Sequence, residues 1–275
     1  MLSYIEDIEA GEDPSGLVRI HRPEDFEGMR AAGQVSARAL DMLTSEVKEG
    51  ITTQRIDDLV YEFTMDNGAL PATVFYKGYS KSCCTSINHV VCHGIPGDRV
   101  LKDGDILNID VTSIVDGWHG DTSRMYFAGE PKVKARRLTD VTFECLWKGI
   151  DVVKPGATTG DIGAAIQAHA ESQRCSVVRD FCGHGLGRIF HEPPNILHYG
   201  REGDGTVLRE GMFFTIEPMI NLGKWQVKLL NDGWTAVTKD KTLSAQFEHS
   251  LGVTADGVEV FTKSPAGQDR PPYSK

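Results

Sequence analysis

The chain has 275 residues, 40% hydrophobic and 25% charged, with a formal net charge of −10. These proportions describe an ordinary globular chain with room for one large α/β domain or two small ones. The acidic balance argues against a direct nucleic-acid-binding face, and no stretch approaches the ~18 apolar residues of a membrane span.

Residues 1–18 are acidic. The opening MLSYIEDIEAGEDPSG has neither the apolar segment of a secretory signal nor the arginines of a transit peptide, so a cytoplasmic location is expected. Six cysteines (Cys83, Cys84, Cys92, Cys145, Cys175, Cys182) lack C-x-x-C spacing, which in a cytosolic chain reads as reduced, mostly buried thiols. Cys92-His93 has no second Cys/His pair at finger spacing and makes a poor zinc site.

A helical period runs through Phe26, Met29, Ala32, Ala39, Leu40 and Leu43 and stops at Glu49-Gly50. Thr52 or Thr53 reads as the N-cap of a second helix, TQRIDDLVYEFTMDNG. Strand-like text rich in Val, Ile, Phe and Thr follows. Asp116-Gly117 is a two-residue hairpin turn signal within it. A second helix pair, VKARRLTDVTFECLWKGIDVV and TTGDIGAAIQAHAESQ, then leads into a second run of strands. The order helix, helix, strands, used twice, predicts an α+β architecture: a curved antiparallel sheet with helices on one side. Residues 263–275, KSPAGQDRPPYSK, are Pro-rich and polar and are expected to be a disordered tail.

The two runs are related. KEGITTQRI (48–56) matches KPGATTGDI (154–162), and LKDGDILNIDV (101–111) matches LREGMFFTIEP (208–218), at offsets of 106 and 107. Two independent matches at nearly one offset imply a single domain over 19–262 built from two similar halves, about 19–130 and 131–262, around a pseudo-twofold axis. The second match sets Asp110 against Glu217, so each half offers a carboxylate to one central place.

Five residues there carry the chemistry. Asp110 in ILNIDVTS and Asp121 in WHGDTSRMYF lie in apolar strand text, as do Glu217 in FFTIEPMI and Glu248 in AQFEHSLGV; His184 lies between glycines in FCGHGLGR. Buried carboxylates need partners. Four of them carry −4, which two divalent cations balance, and two-metal sites perform hydrolysis. A hairpin centred on Asp116-Gly117 sets Asp110 opposite Ser123, with Asp121 its diagonal neighbour about 7–8 Å away on the same face. Glu217 precedes Pro218 and is biased to extended backbone. His93 in VCHGIP and His191 in IFHEPP are placed to hydrogen-bond a substrate carbonyl or its tetrahedral oxyanion.

CHGIP, the GDILNIDV…GDTSR hairpin, GHGLGR, TIEP and AQFEHS together resemble type I methionine aminopeptidase in order, spacing and local sequence, from about residue 20 to about 262. The resemblance implies the pita-bread fold, two pseudo-symmetric halves around a dinuclear metal site. It makes Asp110, Asp121, His184, Glu217 and Glu248 the metal ligands, Asp121 and Glu248 bridging. His93 and His191 match substrate-contacting histidines, and Tyr76, Tyr79, Cys84, Phe190 and Trp234 match the methionine pocket. A position often occupied by Cys in the family is Thr73 here, which leaves its role open. Only 33 residues (217 − 184) separate His184 from Glu217, too few for the inserted subdomain of type II relatives.

The implied reaction is hydrolytic removal of an N-terminal methionine from nascent polypeptides, with a small second residue preferred. Glu217 would receive the water's proton and His93 and His191 would act on the substrate. The cofactor expected is a pair of divalent ions drawn from Co, Mn, Fe or Zn. The chain is expected to be monomeric, in transient contact with the ribosome. Two alternatives are an aminopeptidase P or prolidase type of hydrolase, which carries a long N-terminal domain where about 20 residues precede the first helix here, and a non-catalytic pita-bread binding protein, which would have lost ligands.

Overall fold

The computed structural model describes residues 11–12 and 18–273. The acidic segment expected at 1–18 lies outside them, apart from Gly11–Glu12, which pairs with Arg19–Ile20, and the buried Val18.

Four helices form where the apolar period predicts them: α1 (Asp25–Leu43), α2 (Thr53–Asp66), α3 (Val133–Asp151) and α4 (Thr159–Ser172). Thr52 caps α2 by accepting the Arg55 amide at 3.1 Å. Thr158 caps α4 in a reciprocal box with Asp161, the Thr158 amide donating to Asp161 at 2.7 Å and the Asp161 amide to Thr158 at 3.2 Å. Each cap stands at the same place in its half, 106 residues apart.

The strands that follow repeat the relation. The Gly50 amide donates to Leu101 O and the Gly156 amide to Leu208 O, both at 2.9 Å; Thr52 bridges Val100 and Thr158 bridges Val207. The internal repeat is therefore a repeat of hydrogen bonds.

In the first half, Asp105–Val115 and Trp118–Ala128 form a long hairpin. Asp116 and Gly117 both adopt positive φ, 48° and 83°, as a tight primed turn requires. The register sets Asp110 opposite Ser123 and Thr112 opposite Asp121. Cys83–Ile87 extends the sheet on the other edge of Asp105–Val115. α1 lies across the hairpin, where Gly120 permits backbone contact: a Cβ there would sit 2.4 Å from the Gly33 nitrogen. The Ser36 hydroxyl donates to Gly120 O at 2.6 Å.

The second half breaks the corresponding hairpin. Phe213–Ile216 pairs with His249–Val253, and Met219–Asn221 pairs with Ser244–Gln246. Glu217-Pro218 interrupts the strand, since proline donates no ladder hydrogen bond. The expected curved sheet is thus present as several short antiparallel sheets. Each half keeps its own core: Leu40, Ile56, Leu107 and Tyr126 in the first, Ile150, Ile166, Phe214 and Phe247 in the second. Phe26, Trp118, Phe213 and Phe261 pack where the halves meet.

The tail corrects an expectation. Residues 263–273 are not disordered but strapped over α1 and the first hairpin. Arg124, 1% exposed, donates to Asp41 and, at 2.9 Å, to Gln268 O; the Ser264 hydroxyl donates to Asp41 at 2.8 Å; Tyr273 donates to Met125 O at 2.7 Å. A buried guanidinium needs acceptors, and the tail supplies Gln268 O to Nη1 while Nε stays without a partner.

Candidate metal centre

The first hairpin delivers two carboxylates to one face of its sheet, and both reach the wall of a cavity of about 380 Å³ between the halves. Thr112, directly across from Asp121, donates its hydroxyl to Asp121 Oδ1 at 2.7 Å and aims the carboxylate inward. The backbone of Asp121 is clamped by Ser250, whose Oγ accepts its amide at 3.1 Å and donates to its carbonyl at 2.6 Å.

The second half supplies the rest. Glu217 sits at the proline break. Thr215 donates to its Oε1 at 2.9 Å, Gln246 to its Oε2 at 3.3 Å, and its own amide donates to His198 Nε2 at 3.1 Å. Glu248, placed in a strand by alternation, lies between the strands Ser244–Gln246 and His249–Val253 and bridges Ser123 through its amide at 3.1 Å. His184 lies in the short strand Gly183–Gly185. The flanking glycines permit the approach: a Cβ on Gly183 would fall 2.3 Å from Thr215 O and one on Gly185 2.1 Å from Pro193 O. His184 Nδ1 lies 3.0 Å from Gly185 O, which keeps the proton on Nδ1 and leaves Nε2 facing the acids.

Nε2 of His184 is 3.6 Å from Asp121 Oδ2 and 3.7 Å from Glu217 Oε1. Donor atoms of Asp121, His184 and Glu248 all lie within 4.8 Å of one another. Burial, reinforced by Asp121 and Glu217, drives the carboxyls of Asp110 and Glu248 well above the carboxylate range. Burial pushes Glu217 up to about 7 against the opposing pull of His184. His184 itself is raised, its burial outweighed by the acids around it. Among the described residues these carboxylates form ion pairs with His184 alone. Four acids and one imidazole are drawn together here, a set of oxygens and one nitrogen whose chemistry suits a divalent metal ion.

The cavity brings together every residue singled out from the sequence: Asp110, Asp121, His184, Glu217 and Glu248 at its base, with His93, His191, Tyr76, Tyr79, Cys84, Phe190, Trp234 and Thr73 around them. His93 takes a left-handed backbone, φ 57°, uncommon outside glycine, and packs edge-on against Phe181 at 5.3 Å. Burial lowers its pKa, and lowers that of His191 to about 3 with His184 adding to the effect, so both rings are neutral near pH 7. The Tyr79 hydroxyl donates to Cys83 O at 3.0 Å, which fixes its ring edge-on to Trp234 at 5.0 Å. Tyr76 stacks on His191 at 4.6 Å. Sequence reasoning missed Lys77, Cys92, Thr112, Asp180, Phe181, Cys182 and Met219 in this lining. Of these only Thr112 carried a signal, two residues from Asp110 and opposite Asp121 in the expected register.

The model of metallopeptidase family M24 matches residues 27–255. Across 257 residues the chain is 58% identical to a methionine aminopeptidase of Rickettsia prowazekii (strain Madrid E), an alignment covering 93% of this chain and 99% of that relative. The chain belongs to the methionine aminopeptidases of metallopeptidase family M24. Its fold is similar to the crystal structure of methionine aminopeptidase from Rickettsia prowazekii, with a TM-score of 0.89 at 57% identity over 90% of this chain and all of that one. The prolidase from Pyrococcus furiosus shares the fold alone, with a TM-score of 0.71 at 23% identity over 89% of this chain and 65% of that one. Membership makes this chain a pita-bread metal-dependent peptidase, and Asp121, His184 and Glu248 are near enough to one another to hold a metal ion. No helix among the described residues is long and apolar enough to cross a membrane.

Proposed function

We propose that this methionine aminopeptidase removes the N-terminal methionine from nascent proteins and peptides by hydrolysing the first peptide bond, with a small second residue preferred. The observation that carries the reading is the convergence of a buried acid cluster and an aromatic pocket on one cavity of about 380 Å³. Asp110, Asp121, His184, Glu217 and Glu248 would hold two divalent ions, since four carboxylates balance two such charges; Co, Mn, Fe and Zn all suit a carboxylate-rich site with one imidazole. When bound, the metal supplies a Lewis acid for the scissile carbonyl and lowers the pKa of water toward neutrality.

The chain's own groups do the rest. Glu217 receives the proton of the attacking water, its carboxylate held by Thr215 and Gln246. His191, neutral, donates to the scissile carbonyl, and His93 meets the amide nitrogen or the developing tetrahedral centre. Tyr76, Tyr79, Cys84, Phe190 and Trp234 form an apolar wall suited to an unbranched thioether. The substrate's free α-amino group would also be taken by metal held by these acids, which would limit cleavage to one residue. The enzyme is proposed to work in the cytoplasm as a monomer on chains emerging from the ribosome.

The test is kcat/KM, in the metal-loaded enzyme, across a Met-X-Ser series and an X-Ala-Ser series. Met-Ala, Met-Gly and Met-Ser peptides should be good substrates, and Met-Leu or Met-Lys poor ones. Norleucine should be tolerated, because an apolar pocket separates near-isosteres by only about 1–3 kcal/mol. Equal rates for Met-Ala-Ser and Lys-Ala-Ser, or efficient cleavage before X-Pro without methionine, would move the chain to the broader aminopeptidase or prolidase reading.

A further inference from the structure

The loop Gly187–His191 carries two of the groups proposed to meet substrate, Phe190 and His191, and it is held from outside the cavity. The His191 ring is packed among three rings: His184 at 4.1 Å, Phe190 at 4.1 Å and Tyr76 at 4.6 Å. Its position therefore depends on where Phe190 and the loop backbone sit.

We propose that His119 is the positioning residue for this loop, setting Phe190 and His191 for substrate. His119 does not line the cavity. It lies two residues before Asp121, at the start of the second strand of the first hairpin. Its backbone amide donates to Gly187 O at 2.9 Å, and its Nδ1 lies 2.9 Å from the same oxygen. One carbonyl thus takes two donors from one residue, which fixes the imidazole proton on Nδ1. The other side of the ring stacks nearly parallel on Phe190, 5.5 Å between centroids and 14° between planes.

A second tether runs alongside. Arg188 Nη1 donates to Asp116 O at 3.1 Å, and its guanidinium lies 4.7 Å over the Trp118 ring. The dipeptides Trp118-His119 and Gly187-Arg188 form a clamp between the two halves, and only its histidine reaches the aromatic wall. The same strand carries Asp121 onward into the acid cluster. The clamp therefore ties the substrate-facing histidine of one half to the hairpin of the other.

The inference rests on the reading that His191 meets substrate, and the experiment separates the two. Steady-state kinetics on Met-Ala-Ser are measured for His119→Ala, His119→Gln, His191→Ala and the double variant His119→Ala/His191→Ala, with Mn(II) binding titrated on each. His119→Ala should lower kcat/KM by about 10- to 100-fold, since an ångström-scale misplacement costs up to about that much, with Mn(II) affinity unchanged. His119→Gln, which keeps a donor for Gly187 O, should recover part of the loss. The double variant should be little worse than His191→Ala, because residues acting through one another do not add. Should His119→Ala not fold, His119→Phe, which keeps the stack and drops the bond, takes its place. Losses that multiply in the double variant, a parallel fall in Mn(II) affinity, or wild-type kinetics without His119 would overturn the proposal. Wild-type kinetics in His191→Ala would instead overturn the substrate reading on which it rests.

Discussion

Replacing Glu217 with Gln should stabilise the metal-free protein, by an amount that grows with pH. The Glu217 side chain is 14% exposed, and burial carries its carboxyl from 4.5 up to about 7. A carboxyl whose pKa rises on folding contributes its stability in full below the unfolded value. It loses that contribution as pH climbs through the folded value. At 1.36 kcal/mol per unit the loss for Glu217 is about 3 kcal/mol, complete above about pH 7. Gln is neutral throughout and keeps both neighbours, because Thr215 can donate to its oxygen and Gln246, now donating to Glu217, can turn its amide over so that Oε1, buried without a partner, accepts from the new NH2. Absolute stability curves would hide the effect. His21, His198 and His249 are held at about 3 by burial, so each costs stability as pH falls below 6.5, the opposite slope. The difference between wild type and variant removes them. The assay is urea unfolding of both proteins in chelator at pH 5, 6, 7 and 8. The variant should gain little at pH 5 and about 3 kcal/mol by pH 8. With saturating Mn(II) the order should invert, because the variant has lost a carboxylate proposed to bind the metal. A difference that stays flat with pH, or grows toward acid, would refute the picture of Glu217 as an acid stranded without its cation.

Two further outcomes follow from the same geometry. Asp110→Asn and Glu248→Gln each remove a charge from the donor set, so both should weaken metal binding and abolish turnover; wild-type rates at unchanged metal content in either variant would sink the ligand assignment. Deleting residues 264–275 strips Arg124 of Gln268 O and Met125 O of its Tyr273 donor, which should cost roughly 2–4 kcal/mol in thermal or urea unfolding and leave kcat on Met-Ala-Ser unchanged in the folded fraction; unaltered stability would show the strap to be incidental.

What could be read in advance was whatever a few adjacent residues decide. Thr52 and Asp116-Gly117 are local devices, a cap and a turn, and the residues around them suffice to set their geometry. The duplication was legible because both copies kept the same cap and the same strand entry. The acids were legible because a charged side chain inside apolar strand text has no bland explanation. The tail was misread for the opposite reason: KSPAGQDRPPYSK is polar and proline-rich, and its worth lies in contacts 144 and 148 residues away, Gln268 with Arg124 and Tyr273 with Met125. His198 and His119 were passed over on the same ground. His198 stands in no recognisable string, and His119, though inside WHGDTSRMYF, was overshadowed there by Asp121; each matters through one carbonyl or amide brought to it by the fold.

The duplicated frame also explains why the acids meet but the halves do not contribute alike. In the first hairpin Asp110 faces Ser123. In the second, Ile216 faces His249 and Met219 faces Gln246, so Glu217 lies across from Glu248, in the register Asp110 holds with Ser123. Ser123 and Glu248 are thus equivalent positions, and they bridge each other directly, the Glu248 amide donating to Ser123 O at 3.1 Å. At the paired positions one half carries a hydroxyl and the other a carboxylate, and one step along Asp121 answers to Gln246. Had both halves kept acids at all of these places, the cavity would hold six carboxylates, more charge than two divalent ions balance. With Ser123 and Gln246 at those places there are four acids, and both polar residues hydrogen-bond, Ser123 with Asn108 and Gln246 with Glu217. That difference between the halves leaves four acids, the charge that the proposed pair of divalent cations would balance.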